Sequence, residues 1–224
     1  MVLLRRYIPK LLRMMLGFAL IALGVVIAKQ AFCLTPWNVL NDGLAHTFPI
    51  TIGQANIVVG VVILLIGILL RETIGIGMIL NICFVGVFTD FFMALNNTWG
   101  VLPRIESVPV QLVLGVLSVV SNALGIYFYM SARMGTGPRD TIMVHMTKTL
   151  PFPVGVCRLA LEAVVCLIGW LIGGEVGLGS LIFVFCNGPM IQLVFRVFRF
   201  DVKAVKNESV LDTLHILADP THAL

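Results

Sequence analysis

Charged residues are scarce in this sequence of 224 residues. Asp, Glu, Lys and Arg make up 12% of the chain and hydrophobic residues make up 59%, whereas roughly a quarter of an ordinary soluble domain is charged. So few polar side chains cannot cover the surface of a water-soluble core. The composition therefore excludes a soluble globular domain and predicts a protein whose surface faces lipid.

Catalytic and metal-binding signatures are missing as well. The five cysteines lie within or at the ends of apolar runs and show no CxxC spacing, which favours small buried hydrophobic residues over disulfides or metal ligands. No HExxH, GxSxG or intramembrane GxGD pattern occurs, and the four histidines form no metal-ligand motif. We therefore expect no enzymatic activity, no metal and no cofactor. The net charge of +4 gives no reason to expect a nucleic-acid partner.

Six apolar segments are long enough to cross a lipid bilayer. A spanning helix needs about 20 apolar residues, because it rises about 1.5 Å per residue through a hydrocarbon core of about 30 Å. The segments are 12–33, 52–70, 75–95, 109–132, 154–173 and 177–198. Two further stretches, 36–48 and 138–150, are too short to cross. We predict an all-α polytopic membrane protein with one membrane domain over residues 1–202 and a short cytoplasmic tail over 203–224.

The basic residues are distributed unevenly between the two sides of these spans. With six spans and an internal N-terminus, twelve of the fifteen Lys and Arg residues fall on cytoplasmic segments. Lys29 and Arg104 fall outside, and Arg158 lies within a span. Because cytoplasmic segments of membrane proteins carry an excess of Lys and Arg, both termini are expected in the cytoplasm.

The two halves of the chain resemble each other. A shift of 102 residues aligns residues 36–86 with 138–188 without a gap and gives twelve identities in 51 positions. Eight of the twelve fall on Gly, Pro or Thr: Pro36 with Pro138, Thr47 with Thr149, Pro49 with Pro151, Gly53 with Gly155, Gly67 with Gly169, Gly75 with Gly177, Gly77 with Gly179 and Gly86 with Gly188. Chance similarity between two apolar segments would not concentrate on these residue types, so the pattern indicates an internal repeat.

The repeat predicts how the chain is arranged in the membrane. Repeat one covers about residues 12–95 and repeat two about 109–198, with three spans in each. Because three is an odd number, the second repeat is inverted relative to the first. This plan is common among secondary transporters, whose binding sites lie near the midplane between the repeats.

The short stretch after the first span of each repeat begins in the same way. In Thr35-Pro36-Trp37-Asn38 and in Gly137-Pro138-Arg139-Asp140, an N-cap residue precedes a proline at the first helical position. Each predicted helix is at most half a bilayer long. One interpretation is a re-entrant helix whose N-terminus faces a watery cavity and attracts anions. The other is an interfacial helix that lies flat on the membrane.

Two charged residues lie within the fifth apolar segment, where each costs about 2.5–3.5 kcal/mol on insertion scales. Arg158 and Glu162 are four residues apart, so their side chains can meet on one helix face. They form either a structural ion pair or part of a path in which Arg158 holds an anion or Glu162 takes a proton. The candidate substrate-binding residues are Pro36, Trp37, Asn38, Asp42, Asn56, Asn81, Gly137, Pro138, Arg139, Asp140, Arg158, Glu162 and Asn187.

Three members of this set have a further interpretation. Asn56 is the position of the first repeat that aligns with Arg158, so the polar site is repeated with a different side chain. For Asn81 and Asn187, hydrogen bonding between helices is the alternative to binding a solute.

A set of distinct motifs lies along the chain between Gly17 and Gln192. They are Pro36-Trp37-Asn38-Val39-Leu40 followed by Gly43-Leu44, Gly75-Ile76-Gly77 with Asn81 and Gly86, Gly135-Thr136-Gly137-Pro138-Arg139-Asp140, Arg158 with Glu162, and Gly173-Gly174-Glu175-Val176-Gly177-Leu178-Gly179. This set resembles the YczE, YyaS and YitT group of bacterial integral membrane proteins. The resemblance implies a multi-span fold in the bacterial inner membrane and implies no particular substrate or reaction.

Two functional hypotheses remain open at this point. The first is a transporter for a small anionic or zwitterionic solute, which works by alternating access between the inverted repeats. The alternative is a membrane accessory or assembly protein that binds another protein and transports nothing. The expected partners are the lipid bilayer and either a small solute, a second copy of the chain or another membrane protein.

Overall fold

The computed structural model describes residues 2–30, 35–50, 52–73, 75–101, 107–205 and 207–210. In these residues the chain forms eight α-helices and no β-strand. The helices are α1 (Val2–Gln30), α2 (Pro36–Thr47), α3 (Ile52–Leu69), α4 (Ile76–Trp99), α5 (Val108–Ser131), α6 (Pro138–Thr149), α7 (Val154–Leu171) and α8 (Leu178–Val197). The predicted all-helical architecture is confirmed.

Five of the helices, α1, α4, α5, α7 and α8, are long and apolar enough to cross a membrane. The second predicted span corresponds to α3, whose described apolar part, Gln54–Leu69, is shorter. The helices α2 and α6 have 12 residues each, which is about 18 Å. The chain is therefore a multi-pass membrane protein, with five candidate spans in the residues that the structure describes.

Helix α1 begins earlier than the first predicted span. It starts at Val2, and its apolar part starts at Tyr7, whereas the sequence predicts a span from residue 12. Lys and Arg near the N-terminus do not end the helix, because both are good helix formers. The predicted end of this span over 31–33, and residues 206 and 211–224 of the predicted tail, lie outside the described residues.

Helices α1 and α5 cross closely at glycines. Gly17 lies against the backbone of Gly125 and Tyr129, and Gly24 lies against Ser118. A side chain at either glycine would collide with the other helix, so the absence of a Cβ allows the close approach. Since higher residue numbers in α1 face lower numbers in α5, the two helices run antiparallel.

Helix boundaries and helix contacts both recur at the offset of 102 residues. Helices α6, α7 and α8 begin 102 residues after α2, α3 and α4. Helix α2 packs against α7 and α6 packs against α3, while α1 packs against α4 and α5 against α8. Gly169 of α7 lies against Val39 of α2, and the aligned residue Gly67 of α3 lies against Thr141 of α6. The two halves of the chain therefore make equivalent contacts with each other.

The short helix α2 runs from the middle of the bundle to one end of it. Trp37, at the start of α2, belongs to a buried cluster that includes Ile63 of α3 and Val165 of α7, which lie within those helices. Gly43, further along α2, lies against Ile172 just after the end of α7. Helix α2 is therefore parallel to α7 and ends where α7 ends.

The short helix α6 makes the corresponding contacts with α3. Thr141, near its start, lies against Gly67 within α3. His145 and Lys148, near its end, bind Glu72 just beyond α3. Helix α6 is therefore parallel to α3.

The two short helices run in opposite directions. Helix α2 is antiparallel to α3, because the two helices pack against each other and only four residues connect them. Helix α6 is parallel to the same helix. The C-termini of α2 and α6 therefore lie at opposite ends of the bundle, and their N-termini approach each other between them.

The four cysteines that lie in the described residues are free thiols. Cys157 and Cys166 are buried as predicted, but Cys83 and Cys186 are exposed, so the prediction of burial is wrong for these two. They lie on α4 and α8, whose outer faces carry exposed apolar side chains such as Phe185. A lipid-facing helix accommodates a small apolar thiol as readily as a core does.

The crossing of α1 and α5 predicts the effect of two matched glycine substitutions. Gly125→Leu places a side chain against Gly17 and Ile21, whereas Gly60→Leu in α3 meets open space. Overpacking costs about 1–3 kcal/mol, occasionally more, so Gly125→Leu should lower the thermal stability and the yield of monodisperse protein. Gly60→Leu should change neither the thermal stability nor the yield. Size-exclusion chromatography after heating measures both. Equal losses in both variants would contradict the close crossing.

Candidate functional site

Arg158 is buried between two carboxylates. Its Nε donates to Glu162 Oε1 at 2.8 Å, and its Nη1 pairs with Asp140 Oδ1. The relative exposures of Arg158, Asp140 and Glu162 are 5%, 7% and 1%. The predicted pairing of Arg158 with Glu162 is confirmed, and Asp140 joins it from another helix. We call these three residues the ion cluster.

The local structure of α6 brings Asp140 into the ion cluster. Helix α6 begins at Pro138 after the N-cap residue Gly137, so Asp140 lies in its first turn, where a carboxylate is favoured by the helix dipole. The Tyr129 hydroxyl of α5 donates to Asp140 Oδ2 and accepts from the Gly137 N–H at 3.4 Å. The last turns of α5 thus fix the depth at which α6 begins.

Two asparagines extend the ion cluster towards α8 and α5. Asn187 Nδ2 donates to Glu162 Oε1 at 2.6 Å, and Asn122 Nδ2 donates to Asn187 Oδ1 at 3.0 Å. The other carboxylate oxygen, Glu162 Oε2, is buried and has no hydrogen-bond partner among the described residues. Because the ion cluster holds two carboxylates and one guanidinium, a proton bound at Oε2 would neutralise it.

A second polar group lies where the N-termini of the two short helices meet. Arg139 Nη2 donates to Asn56 Oδ1 at 2.7 Å, and Asn41 Nδ2 donates to the same oxygen at 3.2 Å. The Arg139 guanidinium lies over the Trp37 ring at 5.0 Å from its centroid, a cation–π contact. Trp37 and Arg139 are aligned positions of the two repeats. We call Trp37, Asn41, Asn56 and Arg139 the central junction.

The central junction contains unused hydrogen-bonding groups. Trp37 Nε1 and Asn41 Oδ1 are buried and have no hydrogen-bond partner in the part of the chain that the structure describes. An unsatisfied buried donor or acceptor costs about 1–3 kcal/mol, so each is a place where a bound molecule would add stability. Trp37 Nε1 is a donor and Asn41 Oδ1 is an acceptor, and Arg139 beside them carries a positive charge.

The remaining predicted site residues lie around these two groups. Pro36, Gly137 and Pro138 form the starts of α2 and α6. Asn81 of α4 lies against Gly137, where a Cβ would approach its side chain to 2.9 Å. Asn38 is half-buried on the first turn of α2.

Asp42 lies away from the ion cluster and the central junction. Its Oδ2 accepts from the backbone N–H of Glu175 at 3.0 Å, and its Oδ1 lies 3.6 Å from His46 Nε2. Thr47, at the end of the same helix, donates to the Ile172 carbonyl at 2.9 Å. These contacts fasten the C-terminus of α2 to the loop between α7 and α8.

The C-terminus of α6 is fastened in a corresponding way to the loop between α3 and α4. His145 Nδ1 and Lys148 Nζ lie 2.9 and 3.0 Å from the two carboxylate oxygens of Glu72. Each short helix is therefore attached at its C-terminus to the hairpin loop of the other half of the chain. We call these two sets of contacts the α2 end contact and the α6 end contact.

Sequence reasoning missed three residues that complete the site. Tyr129 was not a candidate, because a tyrosine near the end of an apolar span is common at membrane interfaces. Asn122 and Asn41 could have been identified, since an amide within an apolar segment requires a hydrogen-bond partner. Among the residues that the structure describes, no group of three or more His, Cys, Asp or Glu side chains could hold a metal ion.

Comparison with known proteins places this arrangement in a family. Residues 8–196 match the family described as "Family of unknown function (DUF6198)". An uncharacterized protein of Haemophilus influenzae is 29% identical over 183 residues, which cover 80% of this chain and 81% of that protein. The "Uncharacterized membrane protein YczE" of Bacillus subtilis is 29% identical over 179 residues, which cover 79% and 80%. No solved structure matches the chain. The resemblance to the YczE group is confirmed.

The ion cluster predicts a large effect of removing its cation. Arg158→Met leaves two buried carboxylates without their partner, and breaking a buried ion pair costs about 3–5 kcal/mol. The variant should lose most of its thermal stability in detergent, and the further changes Asp140→Asn and Glu162→Gln should restore part of it. Arg13→Met, at an exposed position of α1, should stay within about 0.5 kcal/mol. If both methionine variants unfold at the same temperature as the wild type, Arg158 does not hold the ion cluster together.

Proposed function

The chain belongs to the DUF6198 family, and we propose that it carries a small anionic or zwitterionic solute across the bacterial inner membrane by alternating access. The observation that carries this proposal is the meeting of two half-length helices at a buried site. Their N-termini bring Trp37 and Arg139 into contact beside unsatisfied polar groups. Helix N-termini within a membrane attract anionic groups.

Helix directions support an arrangement of two inverted repeats, each with three spans and one re-entrant helix. The aligned helices α1 and α5 run antiparallel, and so do α2 and α6. The halves make matching contacts with each other. Gly67 of the first half lies against Thr141 of the second, and Gly169 of the second half lies against Val39 of the first. An interfacial helix lying flat would not place Trp37 between two long helices at 4% exposure, so the packing favours re-entrance.

Helix caps support an orientation with both termini in the cytoplasm. An arginine with positive φ follows α3, α5 and α8: Arg71 at 55°, Arg133 at 58° and Arg199 at 51°. Helices α4 and α7 are followed instead by glycines with positive φ, Gly100 at 61° and Gly173 at 94°. Left-handed backbone favours glycine, but arginine adds a cation at the helix C-terminus and at the cytoplasmic surface. We infer that α3, α5 and α8 end in the cytoplasm.

The proposed binding groups have separate roles. Arg139 and Trp37 Nε1 donate to a carboxylate or phosphate of the solute, and Asn41 Oδ1 accepts from a donor such as an ammonium group. Arg158 stays neutralised by Asp140 and Glu162, and this cluster holds α6 in place. Glu162 Oε2 is the position at which a coupling proton binds, because it is the unpartnered oxygen of a cluster with excess negative charge.

The two halves differ at one contact, and this difference favours alternating access. Helix α7 packs against α8 where Gly155 meets Gly188. Contact between the aligned helices α3 and α4 is slight, and Gly86, which aligns with Gly188, faces open space. Exchanging these two arrangements between the halves, with release of one of the two end contacts, generates the opposite-facing state.

The accessory or assembly function remains the second candidate. Helix α4 supports it, because only 6% of its most apolar 18-residue stretch is buried within the chain. This leaves a broad face for lipid or for another membrane protein. This function predicts a partner protein that copurifies with the chain. Binding of that partner should not depend on Arg139. Neither candidate function involves an enzymatic reaction or a cofactor.

The inverted arrangement predicts opposite accessibility of two aligned positions. Phe48 follows α2 and Leu150 follows α6, and both side chains are exposed, at 54% and 38%. In a cysteine-free background, Phe48→Cys should react with a membrane-impermeant maleimide added outside intact cells. Leu150→Cys should react only after the membrane is permeabilised. Labelling of both cysteines from the same side would rule out inverted repeats.

The carrier proposal predicts distinct effects of two substitutions on flux. A thermal-shift screen of anionic and zwitterionic metabolites selects solutes for uptake assays in proteoliposomes. Arg139→Gln removes a charge-assisted hydrogen bond worth about 1.5–3 kcal/mol, so uptake should fall at least about tenfold. Glu162→Gln should keep solute exchange but lose the dependence of net uptake on a proton gradient.

Arg13→Gln is the matched control for both substitutions, because Arg13 is exposed on α1 away from the site, and it should transport as the wild type does. The carrier proposal fails if no solute of the panel stabilises the protein or moves. It also fails if Arg139→Gln transports normally.

A further inference from the structure

A cavity of about 620 Å³ lies beside the end of α8. Its wall includes Phe152 from the loop between α6 and α7, and residues of the segment that follows α8. Three cations line it, Arg196, Arg199 and Lys203, together with one carboxylate, Asp201. Within the described part of the chain, none of these three cations forms an ion pair. The cavity therefore has a net positive charge available to a ligand.

The last turn of α8 and the segment after it hold these cations in place. Arg199 has positive φ, and the Phe200 N–H donates to the Phe195 carbonyl at 2.8 Å, which closes the turn at the end of the helix. The rings of Phe200 and Phe195 pack edge to face at 5.0 Å, and Val202 is buried. The wall of the cavity is therefore folded structure rather than a loose tail.

A second cavity of about 300 Å³ continues from the first along the seam between α7 and α8. The two cavities share Gln192 and Arg196. The rest of its lining is mainly apolar and consists of Gly155, Val156, Leu159, Pro189 and Leu193. Val156 and Leu193 are 45% and 52% exposed, so the seam is open along the lipid-facing side of the two helices.

The combination of these cavities selects the class of ligand. The end of α8 marks the edge of the hydrocarbon layer, so the three cations lie at the depth of lipid headgroups and the seam lies at the depth of acyl chains. A soluble anion would leave the apolar seam empty, and an uncharged lipid would leave the cations unpaired. We propose that the two cavities bind one anionic phospholipid, with its phosphate at Arg196, Arg199 and Lys203 and one acyl chain along the seam.

Native mass spectrometry of the full chain tests this site. The protein is delipidated in detergent and then titrated with phosphatidylglycerol or with phosphatidylcholine of the same chain length. One phosphatidylglycerol should bind per chain with clear preference over phosphatidylcholine. Three basic residues near a membrane surface contribute roughly a hundredfold in affinity together. The variant Arg196→Gln/Arg199→Gln/Lys203→Gln should therefore bind this lipid roughly a hundredfold more weakly.

The matched control removes three arginines that do not line either cavity. The variant Arg13→Gln/Arg71→Gln/Arg133→Gln has the same change in charge and should keep the wild-type affinity. Equal binding of the two lipids by the wild type would overturn the proposal. Equal weakening in the two triple variants would also overturn it, because the effect would then come from net charge alone.

A separate variant tests the apolar seam without changing charge. Val156→Trp adds a large side chain to the open side of the seam, so it should weaken binding of two-chain phosphatidylglycerol. Glycerol phosphate carries the anionic group without acyl chains and should compete only weakly for the wild-type site. If glycerol phosphate competes as well as the lipid does, or if Val156→Trp binds the lipid normally, the cavity is a site for a soluble anion and the lipid proposal is wrong.

Discussion

Burial of the Arg158 guanidinium is the constraint on which the centre of this protein depends. A cation in an apolar bundle is stable only when carboxylates neutralise its charge and accept its N–H groups. Glu162 comes from the same helix, but Asp140 has to come from another one. Helix α6 must therefore begin at the depth of Arg158, well inside the bundle, and Tyr129 and Asn187 bind the carboxylates from α5 and α8. One buried charge thus ties four helices together.

The equivalent contacts of the two halves give this polar centre its surroundings. Each short helix begins beside the other, runs along a long helix of the opposite half and ends on the hairpin loop of that half. The glycine at one crossing makes this packing possible, because a Cβ at Gly169 would lie 2.6 Å from the backbone N of Leu40. A Cβ at Gly67 would make an ordinary contact of 3.5 Å with Thr141. In the proposed carrier, one half can adopt the arrangement of the other without a change of fold, because the two halves make equivalent contacts.

Local features of the sequence predicted much of the fold. Contacts between residues that are far apart in the sequence could not be predicted from them. The pairing of Arg158 with Glu162 follows from helical spacing, and the starts of α2 and α6 follow from Pro36 and Pro138. The third member of the ion cluster does not, because no local pattern states which helix lies beside α7. Asp42 is also an acid on a short helix, yet it lies about one turn further along its helix than Asp140 does, and it binds a loop. Tyr129 was missed because only the tertiary fold brings its hydroxyl to Asp140.

The contact between Trp37 and Arg139 joins two positions that correspond under the internal repeat. In a chain with identical halves, one residue type would face itself there, and the central junction would be the same from either side. An indole opposite a guanidinium removes that equivalence, because one wall offers a ring face and the other a fixed positive charge. In the proposed carrier, a polar solute bound beside this pair has a single preferred head-to-tail alignment relative to the bilayer normal. In the proposed carrier, divergence at this pair of sites thus gives the binding site a direction.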